Sequence, residues 1–190
     1  IAGDIEKMVT IDEENLVICK AATDRHLLYG YKFYNSGDKR VLSSWFKLNL
    51  GVASDAVIND IFNIGNMLYV VITRNDATYI ERADMSSGLK DPYSDIVTTI
   101  DRRITEADTS PLYSAITNKT TFTLPYSMSS EVTPCIVTRS TATETGGIQL
   151  NNVERPTATT LTVKGDFSST PLWLGQLYEL RYTMTRPWVK

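Results

Sequence analysis

The sequence predicts an all-β protein: about two blades of a β-propeller followed by a small β-barrel or β-sandwich. Three observations lead there. Apolar and polar residues alternate with period two in nearly every readable segment. A stretch near residue 15 recurs about 50 residues later. Turn-forming Gly, Asn, Asp and Ser punctuate the chain at short intervals.

The clearest element is "YGYKFYNSGDKRVLSSWFKLNL", residues 29–50. Tyr29, Tyr31 and Phe33 fall on one face of a strand, with Gly30, Lys32 and Tyr34 on the other. "NSGD" at 35–38 is a turn cluster in which Gly37 can take positive φ. The return strand places Leu42, Phe46, Leu48 and Leu50 on one face and Trp45 on the other. Both faces carry large apolar groups, so both need cover. Trp45 and Phe46 are therefore expected between stacked sheets.

The neighbouring sheet comes from the repeat. "EENLVICK" (13–20) matches "IGNMLYVV" (64–71) at an offset of 51 residues, pairing Asn15 with Asn66, Leu16 with Met67, Val17 with Leu68 and Cys19 with Val70. Ile11 and Phe62 correspond upstream, and Tyr29 precedes Tyr79 by 50 residues. A period near 50 with about four short strands per unit is the pattern of propeller blades.

Composition shifts near residue 86. Of 24 threonines, 20 lie at or after Thr98, and "MSSGLKDPYSD" has the punctuation of a boundary. Residues 1–85 are read as the blade region and 86–190 as the Thr-rich barrel or sandwich. In the latter, "TTFTLPY" (120–126), "TTLTVKGD" (159–166) and "YELRYTM" (178–184) read as strands, while "TEADTS" and "SMSSE" read as loops. "SDIVTTIDRRI" (94–104) fits a strand better than a short helix.

Totals bound the function. A chain of 190 residues buries enough surface to fold without disulfides. Cys19 and Cys135 are too few for a disulfide framework or zinc site and are expected as buried hydrophobes. With 19 basic and 22 acidic side chains and a net charge of −3, the chain lacks the basic excess of a nucleic-acid-gripping surface. No apolar run approaches the ~20 residues that span a bilayer. "IAGDIEKMVT" has neither an initiator Met nor the pattern of a signal peptide, so the chain reads as a portion of something longer.

Catalytic motifs are absent: no G-x-S-x-G elbow, no phosphate-binding loop, no dinucleotide fingerprint. His26, the single histidine, is expected in a solvent or packing role at a strand start. Asp91, Asp95, Asp101, Glu106 and Asp108 form a loose acidic group that could hold a glycosidase pair only if two carboxylates faced each other across a cleft; solvated loop acids are the simpler reading. Arg102 and Arg103 should point to opposite faces of a strand, as surface ion-pair partners or as contacts to a partner's carboxylate or phosphate. "NKT" (118–120) is a glycosylation sequon only in a secreted eukaryotic chain. No catalytic residue, cofactor or metal site is expected.

The ordered series of these segments resembles a family. "LLYGYKFYNSGDKRVLSSWFKLNL", then "VINDIFNIGNMLYVVITRNDATYIERADM", "TTIDRRI", "TTFTLPY" and "LGQLYELRYTMTRP" are similar to the tail tubular protein B, or nozzle, family of short-tailed bacteriophages (podoviruses). The likeness is best over residues 26–104 and weaker over 127–170. It implies a virion structural protein, a ring of commonly six subunits forming the distal tail, through whose lumen DNA leaves without sequence-specific binding. The implied partners are other copies, tail tubular protein A (the adaptor) and tail fibres or spikes. The readings set against it are a glycan-binding or glycan-cleaving tail module, acting through the acidic loops and exposed tyrosines, and a generic propeller scaffold.

Overall fold

The computed structural model describes residues 4–51, 56–86, 93 and 98–180. The chain divides into two compact units, Ile1–Leu89 and Lys90–Lys190. Among the described residues there is no α-helix, only single 3-10 turns at Asp12–Glu14 and Glu106–Asp108. All four sheets are antiparallel, and among the described residues they close neither a barrel nor a propeller.

In the first unit, β1 (Ile5–Ile11), β2 (Leu16–Ala21), β3 (Leu27–Ser36) and β4 (Lys39–Asn49) form a meander in chain order. A second meander follows from β5 (Ala56–Ile64), β6 (Met67–Arg74) and β7 (Ala77–Asp84). The repeat is structural: Leu16 opens β2 and Met67 opens β6. Asn15 takes the left-handed conformation at the first turn, as Gly65 does at the second. The backbone carbonyl of Asn15 accepts from Phe33 N–H, and that of Asn66 accepts in the same way from Met85 N–H.

The two sheets share one core, and they meet through faces that are not equivalent in the repeat. The first sheet supplies Leu16, Ile18 and Leu28; the second supplies Leu68, Val70 and Ile72. The repeat partners of those last three are Val17, Cys19 and Ala21. Cys19 and Ala21 belong to a separate cluster with Tyr29, against which Val17 packs. The sheets therefore stack head to tail.

Three polar links run from the first hairpin to the second with a constant spacing of 53 residues. Lys7 Nζ donates to Asp60 Oδ1 (2.6 Å), Asn63 Nδ2 to the Thr10 carbonyl (2.9 Å) and Asn66 Nδ2 to Glu13 Oε2 (2.6 Å). A constant spacing means that β1 and β5, which lie against each other, run in the same direction.

The β3–β4 hairpin corrects one expectation. Its turn forms at Gly37 and Asp38, with Ser36 opposite Lys39 and Gly37 at φ +60°. Phe46 lies opposite Gly30 and packs on the shared core. Trp45, by contrast, is 54% exposed. It sits opposite Tyr31 on the face turned away from the second sheet, with its ring 4.8 Å from the Tyr31 ring. Period-two alternation put Trp45 and Phe46 on opposite faces; the second sheet packs on the Phe46 face, and on the other face Cys19, Ala21 and Tyr29 are buried while Trp45 is not.

The second unit contains β8 (Asp101–Thr105), β9 (Leu112–Ser114), β10 (Lys119–Thr123), β11 (Pro134–Thr138), β12 (Glu154–Thr157), β13 (Thr160–Lys164) and β14 (Leu172–Gln176). Its sheets have the orders β12-β13-β10-β9 and β11-β14-β8. Both contribute to the buried interior, Phe122 and Leu161 from one, Ile136, Leu172 and Leu174 from the other. Within "SDIVTTIDRRI", Asp101 to Ile104 are strand, Thr98–Ile100 are irregular and residues 94–97 lie outside the described residues. The strand expected at 178–184 is not formed over Tyr178–Leu180, and its remainder is outside the described residues.

Candidate interaction surfaces

Among the described residues, Glu106, Asp108, Arg102 and Arg103 are engaged in contacts that hold the fold. In the acidic group, Asp91 and Asp95 fall outside the described residues. Glu106 accepts from Arg139 Nη2 (2.5 Å) and from the Leu172 backbone N–H (2.8 Å), so both its oxygens tie the 3-10 turn to neighbouring segments. Asp108 closes a capping box with Thr105, accepting from its hydroxyl (2.7 Å) and backbone N–H (2.9 Å). Those bonds, the hydroxyl's foremost, hold the Asp108 carboxyl below the usual aspartate range. Among the described residues no three His, Cys, Asp or Glu side chains are grouped to hold a metal.

Arg102 and Arg103 meet different rings. A bulge in β8 faces Gly175, where a Cβ would come within 2.5 Å of the Asp101 carbonyl oxygen, and Arg102 sits there at φ +50°. Its guanidinium lies 3.8 Å from the Tyr126 ring centre and donates to the Ser127 carbonyl (3.0 Å). Arg103 lies 4.2 Å over the Trp173 ring and donates to the Thr98 carbonyl (2.9 Å). Arg139 approaches the same indole at 5.3 Å. These stacked cations order the loops around β8 and β14.

His26 immediately precedes β3, and its carbonyl accepts from the Leu50 N–H (3.1 Å). Cys19 and Cys135 are buried free thiols, and burial raises both pKa values. In the "NKT" triplet the Thr120 hydroxyl is fully buried, donating to the Gly165 carbonyl (2.7 Å) and accepting from Phe167 N–H (2.9 Å).

Among the described residues of the first unit, apolar sheet surface is exposed. The outward face of the second sheet carries Phe62 and Tyr69, with rings stacked at 5.0 Å and 4°, beside Ile64 (66% exposed) and Ile80 (67%). The outward face of the first sheet carries the Tyr31–Trp45 pair and Met8, which is 58% exposed. Exposed apolar groups gathered on one face mark contact surfaces more often than isolated ones do. The second-sheet face was missed in the sequence, although the alternation of β6 (Met67, Tyr69 and Val71 against Leu68, Val70 and Ile72) is a signal for it. The role of Gly30, which leaves room for the Phe46 ring, was legible only once the hairpin register was known.

The chain matches the bacteriophage nozzle protein family along residues 1–190. It belongs to that family. A search of curated proteins found no match. Family membership makes this nozzle-family chain a structural component of the phage tail, located in the virion and in contact with other tail proteins. The partner surfaces described above suit such a role, and among the described residues no helix is long and apolar enough to cross a membrane.

Proposed function

We propose that this nozzle-family protein forms part of the wall of the tail conduit through which DNA leaves the particle. It does so as one of several copies, six by the family resemblance, arranged around a channel. In this reading it is of the tail tubular protein B type of short-tailed phages, meets the adaptor (tail tubular protein A) and tail fibres or spikes, and has no catalytic step. The observation that carries the reading is the family match over the whole chain. The stacking of the first unit supports the blade assignment: propeller blades repeat in one orientation around an axis, so neighbours meet through unlike faces and their corresponding strands run the same way. Both properties hold for the two sheets. The net charge of −3 is suited to a conduit, because a wall rich in Lys and Arg would bind phosphates and slow passing DNA.

Electron microscopy of the assembled tail tests this. The expected result is a closed ring of this protein around a DNA-wide channel with a neutral or acidic wall. A single copy per particle, or a wall lined by Lys and Arg from this chain, would overturn it.

A further inference from the structure

We propose that residues 129–132 of the second unit form a strap held by a single catch, Arg155. Withdrawing that side chain opens the strap while both sheets of the unit stay folded. The strap belongs to the crossover that carries the chain from β10 in one sheet to β11 in the other, and the two ends of this crossover are held in different ways. Up to Met128 it is anchored through its backbone and the core. The Leu124 N–H donates to the Thr159 carbonyl and the Met128 N–H to the Ala158 carbonyl, both at 2.8 Å. Tyr126 and Met128 are buried. The Tyr126 hydroxyl donates to the Arg102 carbonyl (2.9 Å), and the Arg102 guanidinium in turn lies over its ring and donates to the Ser127 carbonyl.

Residues 129–132 have no such anchors. Ser130 and Glu131 are exposed. The bonds inside the segment are long, from the Val132 N–H to the Ser129 carbonyl (3.4 Å) and from the Glu131 N–H to the Ser129 hydroxyl (3.3 Å). Among the described residues, the hydrogen bonds that leave the segment all run to one guanidinium. Arg155 Nη1 donates to the Ser129 carbonyl and, at 3.5 Å, to that of Val132, while Nη2 donates to the Ser130 carbonyl at 3.2 Å. The sequence prepares this catch. Arg155 lies on β12, an edge strand, where the register against β13 shifts between Glu154 and Thr157. A bulge of this kind re-aims a side chain, and Pro156, with no N–H to give to a ladder, suits an irregular edge. An arginine fork spans several carbonyls at once, whereas a lysine ammonium acts as a point charge. When Arg155 leaves, three carbonyls lose their partner together, while Leu124, Tyr126 and Met128 keep theirs. The second unit thus carries a surface segment that can change shape, or be cut, with both sheets intact.

Limited proteolysis of the whole chain with a Glu-specific protease tests the catch, with mass spectrometry reporting cleavage after Glu131. Cleavage requires the segment to open, so its rate follows the open population. Arg155→Ala should speed that cut about tenfold or more, the scale of losing hydrogen bonds from a charged donor. Arg155→Lys should fall between Arg155→Ala and the wild type. Lys119→Met, which removes an exposed ion pair to the adjacent Glu154, should leave the rate unchanged. Hydrogen exchange locates the opening: in Arg155→Ala the Leu124 and Met128 amides and those of β11 should keep their wild-type protection. An Arg155→Ala rate equal to that of the wild type would overturn the proposal, as would equal acceleration by Lys119→Met. So would loss of protection at Met128 and across β11, which would make Arg155 a support of the whole unit rather than a catch.

Discussion

Gly30 is the position where one methyl group should be most damaging to the first unit. A Cβ built there would lie 2.5 Å from Phe46 Cε1 and Cε2 and closer still to Cζ. The Phe46 ring thus lies directly over the glycine, packed against the shared core. In Gly30→Ala the ring must leave that place or the strands must part. Overpacking of this kind costs about 1–3 kcal/mol. In a Phe46→Ala background the obstruction is gone, and alanine should then be better than glycine in a strand by roughly 0.5–1 kcal/mol. The effect of the same substitution should change sign between backgrounds, giving a coupling of about 1.5–4 kcal/mol between the two sites. Urea unfolding of the four proteins of the cycle, followed by far-ultraviolet circular dichroism, measures it. Equal destabilisation by Gly30→Ala in both backgrounds would refute the packing argument.

Trp45→Ala should cost about 1 kcal/mol or less, the scale of an exposed aromatic pair, because the side chain is more than half exposed; a loss of about 3–5 kcal/mol in urea unfolding, as for a buried aromatic, would mean that it is covered. Thr120→Val should destabilise the second unit by about 1–3 kcal/mol, the range for leaving buried hydrogen-bonding groups unpaired, since the Gly165 carbonyl and Phe167 N–H both use its hydroxyl; an unchanged urea midpoint would contradict this. Asp60 is held below the ordinary aspartate range chiefly by its hydrogen bond from Lys7, so its contribution to stability is fully present above about pH 4 and is lost as pH falls through the depressed folded value. Carboxyl chemical shifts followed by NMR should show Asp60 titrating below a free aspartate in the wild type and moving upward in Lys7→Met; a midpoint that Lys7→Met leaves in place would rule out the link.

Local pattern and repeat were readable from residue order, whereas coverage was not. Alternation assigned the two faces of the β3–β4 hairpin correctly, and the 51-residue offset found equivalent strands, because both are properties of nearby residues. Whether a given apolar face is covered depends on what packs there. That is why Phe46 met its expected core and Trp45 did not. The arginine pair shows a subtler limit. Simple alternation foresaw two directions, but the bulge opposite Gly175 depends on a strand more than 70 residues away in sequence, and the rings that receive Arg102 and Arg103 come from separate segments. Candidate carboxylates were visible as residue types; the Thr105–Asp108 capping box is a local contact three residues apart, whereas the engagement of Glu106 by Arg139 and the Leu172 N–H needed the tertiary fold.

The polar links between the two sheets bear on the ring proposed above. An aliphatic interface fixes which faces meet but is tolerant of sliding, since Leu, Val and Ile contacts have little directional preference. Hydrogen bonds do have it, and the three links at a constant spacing of 53 residues fix the stagger of β1 against β5. Lys7–Asp60 is a half-exposed pair, so its net contribution to stability is small. Its consequence is geometric instead. In a stack that repeats one operation, an error in stagger or angle at each interface accumulates around the axis, and closure fails long before stability does. Weak, directional links at the margin of a strong, non-directional core are therefore what a closing assembly of sheets requires, and the first unit of this nozzle-family chain has both.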